Sequence, residues 1–251
     1  MLVLSQFVLR LSFGLAAAMA LTSSRQVTSG YFRNHAYVLL GLNVLATLAA
    51  VADSTQLLLR PPLTAAILSY VCAAVWLYEK PHAGKALLWL VAAVSLLGAL
   101  PTRLTANPSF EKSAIILWDF DPLTSGLLLG ATIAAMFLGH WYLNTPTMEL
   151  APLRRLLVLM AAAVVFRIVV CGVGLILQFD QSGISSTQWL LIGLRWIAGI
   201  MGTAVLIAMA WQTLKIPNTQ SATGILYVAV LATFLGELTS LLLSAGTAYP
   251  L

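Results

Sequence analysis

The stretch from residue 156 to residue 178 reads LLVLMAAAVVFRIVVCGVGLILQ and contains one charged side chain, Arg167. At about 1.5 Å of rise per residue, an apolar helix of this length crosses the roughly 30 Å hydrocarbon core of a bilayer. Apart from Arg167, its residues form one long apolar run, whereas the strands of a membrane β-barrel are short and alternate in polarity. The stretch therefore predicts a transmembrane helix.

The composition of the whole chain extends this prediction. Of 251 residues, 60% are hydrophobic and 8% are charged, and the mean hydropathy is +0.94. A soluble domain carries about 25% charged residues, so this chain lacks the side chains for a water-facing surface. A backbone in lipid must satisfy its own polar groups, which long apolar segments do as helices. The predicted fold class is an all-α, polytopic transmembrane bundle.

Eight apolar segments form a single predicted transmembrane domain over residues 1–251. They lie near residues 3–22, 35–52, 62–78, 86–101, 122–143, 156–178, 189–214 and 220–244. Prolines fall at the proposed ends, where a missing N–H group costs least. These are Pro61, Pro62, Pro81, Pro101, Pro122, Pro152 and Pro217.

The distribution of Lys and Arg predicts the orientation, because cytoplasmic loops carry an excess of both. The loops after the odd-numbered spans hold seven: Arg25, Arg33, Lys80, Lys85, Arg154, Arg155 and Lys215. The loops after the even-numbered spans hold three: Arg60, Arg103 and Lys112. The odd loops should be cytoplasmic and both termini should lie outside, in a bacterial inner membrane. The longest loop, 102–121, then faces outward and includes a short interfacial helix around residues 115–118.

Four ionisable residues interrupt the spans and predict a buried polar network: Arg10, Arg167, Arg195 and Glu237. A charge inside a membrane is costly and often marks a functional site. Arg195 and Glu237 lie at similar depths on helices joined by a short loop, which predicts an ion pair between them. Such a pair could simply lock two helices together. Alternatively, the surplus of arginine could attract an anionic ligand.

His35 and His140 should lie at one level near the cytoplasmic side, on different helices. Two such imidazoles are the minimum for ligating the iron of haem b. Tyr37, Trp141 and Asn144 accompany them and would suit a quinone, by stacking on its ring and bonding a carbonyl oxygen. The same residues also fit an interfacial belt of aromatic side chains.

These features predict a membrane subunit of an electron-transfer system that binds haem or quinone, together with other membrane subunits or a redox partner. The alternatives are a small anion or proton-coupled transporter and a purely structural subunit.

Whether the chain is an enzyme stays open, since it has no nucleotide-binding loop, HExxH or GxSxG motif. The net charge of +5 and the absence of a Lys/Arg run longer than Arg154-Arg155 exclude nucleic acid as an expected partner. Cys72 and Cys171 fall in apolar runs and are predicted to be packing residues.

Overall fold

The fold is that of a helical membrane bundle. The computed structural model describes residues 2–52, 56–100, 112–145, 148–181, 185–216, 218–247 and 249–251. Those residues form helices and no strands. They include eight helical spans that are long and apolar enough to cross a bilayer. The predicted fold class and number of spans are confirmed.

The helices follow one another through the chain with short connections. They are α1 (Leu2–Leu21), α2 (Ser29–Ala52), α3 (Gln56–Leu77), α4 (Pro81–Ala99), α5 (Lys112–Asn144), α6 (Ala151–Gln181), α7 (Ser186–Leu194), α8 (Gly202–Thr213) and α9 (Thr219–Ser244). A π-helical segment, Arg195–Met201, joins α7 and α8 into a single span. Because eight spans alternate in direction, α1 begins and α9 ends at the same end of the bundle, which we call the termini end. The opposite end is the loop end.

Local sequence signals fix several of the helix starts. Pro81 occupies the first turn of α4, where its missing N–H group would have no intrahelical partner. The Ser185 side chain accepts a hydrogen bond from the Gln188 backbone N–H, and the Gln188 side chain accepts one from the Ser185 backbone N–H, which forms a capping box at α7. The Asn218 side chain accepts from the Ser221 N–H and caps α9.

Two helices lie at the centre of the bundle. In α1 and α5, 83% of the most apolar stretch is buried, against 33–44% in the other six spans. α1 packs with α2 and α4, and α3 packs with α2 and α4, so α1–α4 form one group. α5 packs with α6 and α9, and α8 packs with α9, which makes a second group. The contact between α1 and α5 joins the two groups.

Glycines make the α1–α5 contact unusually close. A Cβ atom on Gly14 would lie 1.6 Å from the backbone oxygen of Gly126, and one on Gly130 would lie 1.8 Å from the carbonyl carbon of Gly14. The two backbones therefore touch, as in other membrane helix pairs with small residues at the crossing. This crossing is one helical turn from Arg10.

The structure corrects several predicted boundaries. α5 begins at Lys112 and continues through Pro122, so the predicted interfacial helix around 115–118 is instead the first part of a long span. Pro61 and Pro62 likewise lie inside α3. Proline is tolerated within membrane helices because surrounding groups satisfy the freed backbone carbonyl. Residues 101–111 of the predicted outward loop lie outside the described residues.

Candidate functional site

Five buried ionisable residues form a cluster between α1, α5, α6, α9 and the π-helical segment. The charge cluster consists of Arg10, Asp121, Arg167, Arg195 and Glu237, and none of them is more than 3% exposed. Four were predicted as a network, and Asp121 was not. Arg10, Asp121, Arg195 and Glu237 each lie seven to nine residues from the termini end of their helices, or about 10–14 Å along the axis. The cluster therefore lies well inside the bundle.

Arg167 is the centre of the cluster. Its Nε donates to Glu237 Oε1 at 2.9 Å and its Nη2 donates to Oε2 at 2.7 Å, which is the paired geometry that a guanidinium offers a carboxylate. Its Nη1 donates to Asp121 Oδ1 at 2.5 Å. Ser240 Oγ and Thr124 Oγ1 accept further bonds at 3.0 and 3.3 Å. Arg167 is thus fully neutralised and its nitrogens are all used.

Asp121 binds a second arginine from the other helix group. Its Oδ2 lies 2.6 Å from Arg10 Nη1, while its Oδ1 faces Arg167. Neither Nε nor Nη1 of Arg10 makes a hydrogen bond among the described residues, so this contact is an ion pair alone. Asp121 therefore links α1 to α6 through α5, across the close crossing at Gly14.

Arg195 differs from the other two arginines because it has no acidic partner among the described residues. Its Nη2 donates to Cys171 Sγ at 2.6 Å, and its Nε and Nη1 have no hydrogen-bond acceptor there. The side chain is only 1% exposed, so water does not satisfy it from the surface. Buried polar groups are nearly always hydrogen-bonded, which makes this guanidinium an exception in need of a reason.

The predicted Arg195–Glu237 ion pair is wrong. Glu237 uses both carboxylate oxygens for Arg167 on α6. Helix adjacency itself was correctly predicted, since α9 packs against α8 and the π-helical segment. A Cβ atom on Gly199 would lie 2.5 Å from the Cα of Gly236, so the two backbones touch one residue before Glu237. The adjacency of the two helices did not decide the pairing. Helix α6 also lies next to Glu237 of α9 and places Arg167 against its carboxylate.

Residues 249–251 pack beside the charge cluster. Leu251 is 3% exposed and contacts Ile192 and Leu243. Its backbone oxygen accepts from Ser240 Oγ at 2.5 Å, and Ser240 in turn accepts from Arg167. A Cβ atom on Gly174 would lie 2.0 Å from the backbone oxygen of Pro250. This segment covers α6 and α9 on the termini side of the cluster.

A second, uncharged polar group joins the four helices of the first group. Asn43 Oδ1 accepts from Ser12 Oγ at 3.1 Å and from Ser95 Oγ at 3.4 Å. Asn43 Nδ2 donates to Ser69 Oγ at 3.3 Å and to the Leu39 carbonyl at 2.9 Å. The four side chains are fully buried and satisfy one another. This group holds helices together and has no free polar atom for a ligand.

The structure places His35 in an aromatic cluster near the loop end. Its ring lies 4.3 Å from the ring of Tyr31, 4.4 Å from that of Phe137 and 6.3 Å from that of Trp141, centroid to centroid. Its Nδ1 donates to the Tyr31 carbonyl at 2.6 Å. That bond fixes the proton of the neutral ring on Nδ1 and leaves Nε2 as the free lone pair. His35 and the predicted Trp141 are therefore brought together.

The other predicted cofactor residues lie on the outside of the bundle. His140 is exposed, with its Nδ1 3.4 Å from the hydroxyl of Tyr227 on α9. Tyr37 is 50% exposed, and Asn144 is exposed at the end of α5. His35 and His140 thus contact different partners, and ligation of one haem iron by both stays a prediction.

Asp121 is the member of the charge cluster that the sequence interpretation missed. It follows Trp118, Asp119 and Phe120, a polar stretch that ends in a proline and was therefore assigned to a loop. If the predicted fifth helix had been extended backward through Pro122, Asp121 would have lain inside a span. Its carboxylate would then have balanced the charge of a second buried arginine. Comparison with protein-family models, with curated proteins and with solved structures finds no match for this chain.

Proposed function

We propose that this protein binds a small anion inside the membrane and carries it across the bilayer. One observation supports the proposal above the others: Arg195 is buried in the charge cluster without an acidic partner among the described residues. Ionisable residues that face the interior of a membrane bundle mark substrate and ion pathways in many transport proteins.

The charge count supports an anion as the ligand. The cluster holds three guanidinium groups and two carboxylates, so its formal charge is +1 when all five are ionised. An arginine at the centre of a membrane helix costs about 2.5–3.5 kcal/mol on insertion scales even before its neighbours are considered. A bound anion would offset that cost, whereas a cation or a neutral ligand would not.

The arrangement also argues for more than a structural role. If the charges served only to join helices, each arginine would be expected to have an acidic partner, as Arg10 and Arg167 have. The helices that supply the cluster come from both groups of the bundle, with α1 on one side and α5, α6 and α9 on the other. A site between two helix groups is where transporters commonly bind their substrates.

The proposal includes the position of the charge cluster in the membrane. In a bacterial inner membrane with the loop end in the cytoplasm, as the Lys/Arg distribution predicts, the cluster would lie in the outer half of the bilayer. An anion would then approach from the outside past residues 249–251, which cover α6 and α9 there.

Transport by purified protein in liposomes tests the proposal. Vesicles containing the wild-type chain should show anion flux driven by a potassium-diffusion potential, and Arg195→Met should reduce it at least tenfold. Arg60→Met is the matched control, because Arg60 is an exposed arginine of α3. Flux that is absent, or unchanged in Arg195→Met, would refute the proposal.

A second candidate function is the binding of haem or quinone near His35. Metal-ligating histidines usually donate their second ring N–H to a carbonyl, and His35 Nδ1 does so to Tyr31. The surrounding rings of Tyr31, Phe137 and Trp141 would suit a flat ligand.

A haem protein would be red, with a visible band that is lost in His35→Ala. A quinone would be recovered by solvent extraction of the purified chain. A colourless protein without extractable quinone would remove this candidate.

A further inference from the structure

We propose that the anion bound at Arg195 is monovalent and of halide size, with chloride as the representative. This inference rests on the proposed function and specifies its substrate class. Its basis is the charge of the cluster, the donor geometry of Arg195 and the burial of the surrounding side chains.

Charge favours a single negative unit. With Arg10, Arg167 and Arg195 set against Asp121 and Glu237, one monovalent anion balances the charge of these five side chains. A divalent anion such as sulfate would leave a surplus negative charge in the membrane interior. Uncompensated charge there is costly whichever sign it has.

The guanidinium of Arg195 has N–H groups left for a small ligand. A carboxylate or phosphate is gripped by two parallel N–H bonds, from Nη2 together with either Nε or Nη1. Arg167 binds Glu237 in this way through Nε and Nη2. In Arg195, one of the two N–H bonds of Nη2 donates to Cys171 Sγ at 2.6 Å and so takes up one of these two arrangements, while Nε and Nη1 have no acceptor among the described residues. A halide needs only one N–H bond and so can use Nε or Nη1 alone.

Cys171 supplies the second contact. It is fully buried, and its sulfur accepts the bond from Arg195. The thiol hydrogen is then free to turn toward the anion as a weak donor. A protonated Cys171 is required, because a thiolate would itself neutralise the cluster and leave no charge for an anion to balance.

The surroundings of Arg195 are compact. The Arg195 side chain is 1% exposed, and the π-helical segment that begins there touches α9 backbone to backbone at Gly199 and Gly236. Leu251 and Leu243 pack against Ile192, one turn away on α7. Large organic anions would have to displace more of these contacts than a halide, which is close to a water molecule in size.

Binding can be measured on the full chain in detergent, by the shift in its unfolding temperature at constant ionic strength. Sodium chloride and sodium bromide should raise that temperature in a saturable manner, with sodium gluconate as the inert reference. Sodium sulfate, phosphate and acetate should not compete with bromide. Arg195→Met should weaken the apparent bromide affinity at least tenfold, while Arg60→Met should leave it unchanged.

Two further variants keep the test decisive if Arg195→Met does not fold. Arg195→Lys retains the charge and should still bind bromide, within about tenfold of the wild type. Cys171→Ala should bind it more weakly, through loss of the thiol donor. Bromide binding that appears only in Cys171→Ala would overturn the inference, because it would show that a thiolate is the native counter-charge.

The outcomes also separate this inference from the proposed function. Acetate or phosphate that binds through Arg195 while halides do not would overturn the halide assignment and leave anion binding in place. If no anion in the series binds or crosses the membrane, the inference and the proposed function both fail.

Discussion

Asp119 and Asp121 are two residues apart on α5 and differ in their surroundings. Asp119 is exposed, whereas Asp121 is 1% exposed and contacts Arg10 and Arg167. Asp121→Asn should lower the free energy of unfolding by about 3–5 kcal/mol, because it leaves buried arginine charge without its partner. Asp119→Asn should change it by no more than about 0.5 kcal/mol. Reversible unfolding of the purified protein in detergent, monitored by far-UV circular dichroism, measures both values.

Asp119→Asn is the matched control for Asp121→Asn. Both variants make the same chemical change on the same helix, so a general effect of replacing aspartate by asparagine would appear in both. Equal stabilities for the two variants would contradict the assignment of Asp121 to the charge cluster.

At the residue scale, the sequence predicted which charges are buried better than how they pair. Arg10, Arg167, Arg195 and Glu237 each interrupt an apolar run, and a lipid environment makes that pattern informative. The pairing depends on which helix faces present the side chains, and a linear sequence does not contain that information. Glu237 therefore binds Arg167 on α6, and Arg195 contacts Cys171 instead of a carboxylate.

The contact between α1 and α5 depends on the absence of a side chain at Gly14. In Gly14→Ala the added Cβ would fall 1.6 Å from the Gly126 oxygen, so the helices must separate, which strains the ion pair between Arg10 and Asp121. We expect a loss of about 1–3 kcal/mol of stability from this overpacking, or more if the ion pair is also broken. The same measurement as for the aspartate pair applies, supplemented by the yield of folded protein in the membrane.

Gly41 of α2 is the matched control for Gly14. A Cβ atom there would have no neighbour within 4 Å, and alanine is the better helix former. Gly41→Ala should leave stability unchanged or raise it by up to about 1 kcal/mol. A Gly14→Ala protein as stable as Gly41→Ala would show that the helices do not cross this closely.

At the element scale, the number of spans followed directly from the apolar runs, whereas several helix starts did not. Helix α5 begins ten residues before the predicted position because Pro122 was taken as a helix start, and membrane helices accommodate internal proline. The π-helical segment at Arg195 also had no sequence signal. Its geometry depends on the packing of the π-helical segment against α9 at Gly199 and Gly236, which is a tertiary property.

At the scale of the whole molecule, the orientation is open to a direct test. Single cysteines placed at Arg25 and Glu79, both exposed at the loop end, should be labelled by a membrane-impermeant maleimide only after cells are opened. A cysteine at position 107 should be labelled in intact cells. The native Cys72 and Cys171 are fully buried and give a low background. The reverse pattern of labelling would overturn the orientation predicted from the Lys/Arg distribution.

The central position of α1 has a consequence for how the protein is made. Arg10 is synthesised about 110 residues before its partner Asp121. At roughly 5–20 residues per second, the first span waits on the order of 5–20 s before α5 is synthesised. During that delay its guanidinium must stay near the headgroups or be shielded by the insertion machinery. A nascent chain arrested before α5 should therefore be degraded faster than the same chain carrying Arg10→Leu, as a pulse-chase experiment would show.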